Sequence, residues 1–294
     1  MRNSIKVDVT DDQIAKAKHN LKIMKEDIDD ETLEKHWYNL SEQLIYEVKK
    51  LIIHIIINKN NWVFPIDWFD TSRKTTISEK ITSPSTMYYN NFDNALATRV
   101  SLWVPKWKEL SMLITKLYER FFPWKWKTVF FDRWFCNRAF AQYPNWYCSE
   151  RQYKKFIDTL EYELERFSEK WYNIHNFFLY ISKEIQEKRL DERKNDPLRM
   201  FRYSESDKNA LKHYDIIKKQ VWKVAKIYDK AWVPFTLINT DDEELWFINF
   251  LKALLENWDY WKKSKKIDFT PDKTIVISWV NEILKYTWQE KLKK

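Results

Sequence analysis

The segment DWFDTSRKT, residues 67–75, follows the apolar run Val63 to Ile66 and leads into a helical pattern. Four residues separate Trp68 from Arg73, and Lys74 and Thr75 come next. That is the spacing of the phosphate loop G-x-x-x-x-G-K-[ST], with both glycines replaced. In such a loop, backbone N–H groups at the start of a helix cradle a phosphate, the lysine adds a point charge and the hydroxyl reaches magnesium. Lys74 and Thr75 are expected in those two roles, with Trp68 and Arg73 at the glycine positions. Arg73 replaces a glycine with a large cation; it either binds phosphate itself or narrows the loop.

Glycine is missing from more than this loop. The usual share of about 7% would give roughly 20 glycines in a chain of this length. These 294 residues contain none, and tryptophan occurs 17 times. Trp62, Trp146 and Trp258 follow Asn and Trp124 follows Pro, in turn-like contexts where positive φ or a tight bend favours glycine. Left-handed backbone is expected at Trp124, Trp146 and Trp258. We read most or all of the tryptophans as standing for glycine, by way of a genome whose UGA codon means glycine but has been translated as tryptophan. The plain alternative is a glycine-free, tryptophan-rich chain.

The length suits one α/β domain with extensions. A net charge of +8 points to a polyanionic partner without choosing among nucleic acid, phosphorylated metabolites and anionic lipid. Cys136 and Cys148 lack a C-x-x-C spacing, which argues against a disulfide framework or zinc site and fits a reducing cytoplasm. The five histidines are scattered. LIIHIIIN, residues 51–58, is the most apolar run. It is far short of the ~20 residues that span a bilayer, and reads as the buried end of a helix.

Short apolar runs alternate with amphipathic ones. Strands are expected at Val63 to Ile66, Arg99 to Leu102, Thr128 to Phe131, Phe177 to Ile181 and Phe235 to Ile238. Helices are expected at Lys74 to Ile81, Lys108 to Phe121, Ser149 to Lys170, Lys183 to Lys194, Ser206 to Asp229 and Glu243 to Glu256. This alternation predicts a five-stranded parallel sheet between two helical layers, a three-layer α/β/α fold, with its ligand at the carboxyl ends of the strands. The expected division is a helical N-terminal extension over 1–58, an α/β domain over 59–258 and a basic tail over 259–294. At Thr128 to Arg133, TVFFDR, an acidic residue leaves a buried strand. Asp132 there either holds magnesium or its waters, or caps the next helix.

At this point the sequence resembles a known family. FDRWFCNRAFAQYPNWYCSERQYKKF, residues 131–156, resembles the FDRSWYNRA signature and the following block of the polyphosphate kinase 2 family. ISKEIQEKRLDERKNDPLRMFRYSESD, residues 181–207, resembles its ISKEEQ and DPLK-x-W-K-x-S-x-x-D blocks. Residues 67–75 resemble its [ED]-G-x-D-x-[AS]-G-K motif, which aligns Asp67, Asp70, Ser72 and Lys74 and places family glycines at Trp68, Trp146 and Trp171. The likeness runs over roughly residues 37 to 256. It implies a P-loop kinase fold and magnesium-dependent phosphoryl transfer between inorganic polyphosphate and a nucleotide such as ADP or GDP. By position, Asp70 and Asp132 would organise magnesium and the acceptor, Lys74 would cradle phosphates, Arg133 and Arg138 would clamp the transferring groups, residues 59–258 would form the kinase domain, and Arg199 would belong to its basic lid around 183–210. The resemblance also implies a cytoplasmic homo-oligomer, a dimer or tetramer, with no nucleic-acid or membrane partner. Trp134, Phe135 and Cys136 replace the family's Ser-Trp-Tyr, Asn176 stands at a lysine position, and Arg73 stands for glycine. Two rivals are an ATP-using nucleotide kinase and a catalytically dead polyphosphate-binding protein.

Overall fold

The structure is a computed structural model that describes residues 15, 39–72, 77, 81, 97–101, 114–123, 127–197, 200, 203, 205–260 and 262–289. Among them one sheet forms from β1 (Asn61–Trp68), β2 (Ala97–Ser101), β3 (Thr128–Asp132), β4 (Tyr172–Ile174), β5 (Asn176–Tyr180), β6 (Phe235–Asn239) and β7 (Val276–Ile277). The order is β2-β3-β1-β5-β6-β7, and β4 also pairs with β1. Every pairing is parallel except that of β6 with β7. The five expected strands are therefore the parallel body. β4 and β5 are two parts of one path along β1, interrupted at His175, whose N–H donates to the Val63 carbonyl at 3.1 Å.

Seven α-helices are described: α1 (Leu40–Ile57), α2 (Ile114–Glu119), α3 (Glu150–Glu169), α4 (Lys183–Asn195), α5 (Glu205–Lys230), α6 (Leu245–Leu255) and α7 (Val280–Gln289), with a π-helical turn at Arg138–Gln142. Their starts follow from side chains that can accept the orphan N–H groups of a first turn. Asn39 accepts from Glu42 N–H, Ser149 and Gln152 form a reciprocal capping box, and Ser182 accepts from Ile185 N–H. Asp242 does the same for α6, accepting from Glu244 and Leu245 N–H at 2.9 and 2.8 Å.

Strand alternation sorts the core into two layers. Val63, Val129, Phe131, Phe178, Tyr180, Phe235 and Leu237 face α2, α3 and α5, while Phe64, Ile66, Phe130, Phe177, Leu179 and Ile238 face α1 and α6. Both faces of the central strands are dry, so their near-continuous apolar sequence is what a parallel sheet between helices requires. The apolar run from Leu51 is the buried second half of α1, as expected, and it packs beside α6. No helix among the described residues is long and apolar enough to cross a membrane. Buried Glu47 ties the C-terminal segment to α1, accepting from the Tyr260 hydroxyl at 2.6 Å.

Non-glycine residues take left-handed backbone at Lys59, Thr71, Arg133, Trp146, Trp171, Trp232 and Lys262. The three tryptophans, at φ 61°, 64° and 55°, each follow the end of a helix. Trp171 N–H donates to Ser168 O and Trp232 N–H to Asp229 O, and the next residues at two of the sites reach back five positions, Tyr147 to Gln142 and Val233 to Tyr228. This is the helix-ending bond pattern whose left-handed position is normally glycine. The indoles there stand in solvent, 83%, 84% and 93% exposed. Trp258, expected to be left-handed, is not; it packs edge-on against Trp62 with ring centres 4.5 Å apart. Trp124 lies outside the described residues. Trp134 and Trp246 are fully buried, where an indole fills interior space.

Candidate functional site

β1, β3, β5 and β6 end along one edge of the sheet, and the chain order reverses across β1, with β3 on one side and β5 on the other. A crevice opens at such a reversal because the loops leaving the two neighbours run in opposite directions. Asp67, the penultimate residue of β1, is buried there beside Phe178 of β5. Its Oδ1 accepts from the Trp134 N–H at 3.4 Å, and Oδ2 has no hydrogen-bond partner. Burial pushes its carboxyl up to about 7 and the charge of Asp132 adds to that, against the Trp134 N–H and the Asn176 amide. Asn176 is itself buried, its amide turned toward the Asp67 carboxyl.

Asp132 is the last residue of β3 and is buried. Arg133 leaves the strand at φ 75° and lays its guanidinium over the Trp68 indole, 5.9 Å from the ring centre. Arg138 opens the π turn and is buried, with no partner for Nε or Nη1. A buried guanidinium with unused donors is costly to maintain unless an anion completes it. Tyr118 of α2 reports how these groups gather. Burial raises its hydroxyl first, the Asp67 charge raises it further, and Arg133 and Arg138 pull it down, so all three lie within electrostatic reach of one oxygen.

The loop after β1 is ordered by backbone bonds. Phe69 N–H donates to Leu179 O at 3.1 Å and Ser72 N–H donates to Phe69 O at 3.2 Å. Trp68 closes the strand opposite Leu179, and the left-handed residue of the turn is Thr71, at φ 68°. Asp70 sits half-buried on the turn, and Ser72 is buried with its hydroxyl unpartnered. Arg73, Lys74, Thr75 and Arg199 lie outside the described residues, while Ile77 and Ile81 are helical and buried.

Sequence reasoning brought Asp67, Trp68, Asp70, Ser72, Asp132, Arg133 and Arg138 to this edge, and missed what α4 contributes. Gln186 and Arg189 reach the carbonyls of the β1 loop, and Arg193 pairs with buried Asp207 at the start of α5, 2.7 Å apart. Their spacing, i, i+3 and i+7, places all three on one face of a helix, a pattern that a solvated polar face shares.

Among the described residues no three His, Cys, Asp or Glu side chains converge as a metal cage. Magnesium at a phosphate site asks for less, one or two carboxylates completed by phosphate oxygens and water. Buried Asp132, with Asp67 beside it, is a donor set that fits.

A parallel sheet reversing at β1, with carboxylates and a buried arginine at the reversal and helices on both faces, has the architecture of the P-loop kinases. The polyphosphate kinase 2 model matches residues 32–266, and the chain belongs to that family. It is 27% identical over 178 residues to an NDP-polyphosphate phosphotransferase of Ruegeria pomeroyi, covering 60% of this chain and 52% of that one. It is 29% identical to a GDP-polyphosphate phosphotransferase of Pseudomonas aeruginosa, covering 60% and 50%. The chain thus spans about half the length of these curated relatives. The crystal structure of polyphosphate kinase 2 from Arthrobacter aurescens TC1 superposes with a TM-score of 0.56 at 17% identity, over 78% of this chain and 80% of that one.

Proposed function

We propose that this protein is a magnesium-dependent phosphotransferase that moves a phosphoryl group between inorganic polyphosphate and a nucleoside diphosphate, ADP or GDP. The observation that carries the reading is Arg138, buried just after β3 with two nitrogens unpaired and within electrostatic reach of the same Tyr118 hydroxyl as buried Asp67. In phosphoryl transfer no protein nucleophile is needed; the protein positions the groups and compensates charge. Arg138 and Arg133 would hold the transferring phosphate oxygens, the loop after β1 would present N–H groups other than those of Phe69 and Ser72, which are bonded within the protein, and Lys74 would add a charge. Asp132, with Asp70 or Asp67, would hold the magnesium, which supplies charge neutralisation on the phosphates. The segment 183–210 would close over the site as a lid. From the family resemblance alone we also propose a cytoplasmic homo-oligomer.

The test supplies long-chain polyphosphate as sole phosphate donor with ADP or GDP and magnesium. Nucleoside triphosphate formation supports the reading. Turnover with ATP as the only accepted donor would assign the protein to the nucleotide kinases, and binding without turnover to inactive polyphosphate binders.

We further propose that the tryptophans stand for glycine in the natural protein. The support lies at Trp146, Trp171 and Trp232, three helix-ending left-handed positions whose indoles lie in solvent. Buried Trp134 and Trp246 lend the idea nothing. The coding DNA decides it: UGG rather than UGA at codons 146, 171 and 232 removes the proposal.

A further inference from the structure

A phosphate loop has two sides. When its N–H groups turn toward an anion, its carbonyls turn the other way, and any that are buried need donors of their own. Glycine makes such a loop easy to form because it accepts the required backbone angles at no steric cost. The turn Phe69 to Ser72 has no glycine and places Thr71 in the left-handed region. Something outside the turn must therefore fix its outward side.

Helix α4 supplies it. Gln186 Nε2 donates to the carbonyl of Asp70 at 2.9 Å, and Arg189 Nη1 donates to the carbonyl of Thr71 at 3.3 Å. The other arm of the same guanidinium donates to the carbonyls of Thr240 at 2.7 Å and Asp241 at 3.1 Å, in the loop that leaves β6. Gln186 and Arg189 are both buried. The Arg189 charge meets carbonyl dipoles and, more distantly, Glu243 at 3.9 Å. In this arrangement Arg189 faces the backs of two loops.

The β6 loop is held from the other side as well. Ser182, the cap of α4, donates its N–H to Asp241 Oδ1 at 2.8 Å, and Thr240 N–H and Oγ1 both donate to Tyr180 O. One turn further along α4, Arg193 holds Asp207 of α5. The helix thus grips the β1 loop, the β6 loop and the start of α5 from one face. Movement of α4 would be felt at the carbonyls of Asp70 and Thr71.

We propose that Gln186 and Arg189 are positioning residues: they clamp the carbonyl side of the loop after β1, so that its N–H side is aimed into the site, and they couple that aim to the position of α4. The inference rests on the phosphotransferase reading above for its catalytic consequence, and on the geometry alone for its structural one. A clamp of this kind differs from ordinary helix docking in what its loss does. Docking residues change stability and leave the turnover of the folded molecules alone. A clamp changes turnover while the fold persists.

The variants are Gln186→Met, which keeps the volume and removes the donor, and Arg189→Lys, which keeps the charge and loses the two-armed fork. Both are made in the 294-residue chain and compared with the parent by two readouts. The first is steady-state transfer from polyphosphate to ADP. We expect kcat to fall about tenfold to a hundredfold, the cost of misplacing groups from outside the reacting centre, with the KM for ADP changed less than threefold. Arg189→Ala should regain part of its kcat on addition of millimolar guanidinium ion.

The second readout is amide hydrogen exchange in the free protein, which needs no activity. In Arg189→Lys, exchange should quicken together in residues 69–72 and 240–242, and stay unchanged in α1 and α6. Exchange at 69–72 indistinguishable from the parent in both variants, or a kcat within twofold of the parent, overturns the clamp. Coupled quickening in a protein whose parent form transfers no phosphate leaves the clamp standing and removes the phosphotransferase reading.

Discussion

Trp146, Trp171 and Trp232 pose the sharpest question at the residue scale, because each combines left-handed backbone with a solvent-exposed indole. For an L-residue with a Cβ that conformation costs about 1–2 kcal/mol, and burial returns nothing to these side chains. Replacing each with Gly should stabilise the protein by about 1 kcal/mol per site relative to Ala, since alanine keeps the Cβ and only glycine removes the clash. Thermal or urea denaturation of the paired Gly and Ala variants measures the difference. Equal stability within each pair would mean that the left-handed backbone is not what makes tryptophan out of place. Trp134→Gly is expected to behave oppositely, costing several kcal/mol for the cavity left beside Phe122 and Phe131.

The site residues should separate by chemistry. Asp132→Asn keeps the volume of a buried side chain and removes its charge, and is expected to lower kcat by about 10²-fold to 10³-fold while the protein stays folded. Arg138→Lys should lower both the rate and polyphosphate affinity, because an ammonium cannot reproduce the planar fork. Steady-state kinetics with far-ultraviolet circular dichroism as a control checks both.

At the scale of elements, Tyr260 and His175 make separable predictions. Glu47 is buried on α1 and takes the Tyr260 hydroxyl as a close donor. Tyr260→Phe should destabilise the protein by about 1–3 kcal/mol, the cost of a buried acceptor losing its partner, with the C-terminal segment becoming the first target of limited proteolysis. His175, at the break between β4 and β5, has burial pulling its imidazole down to about 4. Its folded state therefore stays neutral while the unfolded chain takes up a proton. Stability from this group is present above the unfolded value of 6.5 and is lost as pH falls toward 4, by up to about 3 kcal/mol. Asp67, raised to about 7, slopes the other way between 3.8 and 7. The readout is thus the difference between the parent and His175→Gln in urea denaturation at pH 7 and pH 5, which should shrink or change sign at the lower pH.

These elements also show where sequence was sufficient. β1, β3, β5 and β6 were legible because strands dry on both faces write unbroken apolar runs, α3 because its capping box and apolar period are both strong, α4 because Ser182 caps it, and α5 because its apolar period is sustained. β4 and β7, at three and two residues, are too short to leave a pattern. The π turn at Arg138 has no sequence signature that separates it from an α-helical start. Asp132 and Arg138 could be placed in the site from their motifs. Gln186 and Arg189 could not, because in a helix as charged as α4 a polar face reads as solvated until the loops that lie against it are known. The loop pattern put a glycine position at Trp68, which closes a strand, and the left-handed angle falls on Thr71.

At the scale of the whole molecule, the loops after β1, β3, β5 and β6 leave the sheet along one edge, α4 grips those after β1 and β6 from behind, and Asp67 near the end of β1, Asp132 at the end of β3 and Arg138 just after it are buried. On the proposed function, such a site would receive a strongly anionic substrate that carries its own reactive bond, as a polyphosphate chain does. The measurement that bears most directly on this is nucleoside triphosphate formation from long-chain polyphosphate and ADP or GDP with magnesium. It is run on the chain as given and on the form with glycine at Trp146, Trp171 and Trp232. The account predicts polyphosphate-dependent turnover in both forms, higher in the glycine form and lost in the Asp132→Asn variant of either. Turnover with ATP as the only accepted donor, or no turnover from polyphosphate in either form, would contradict it.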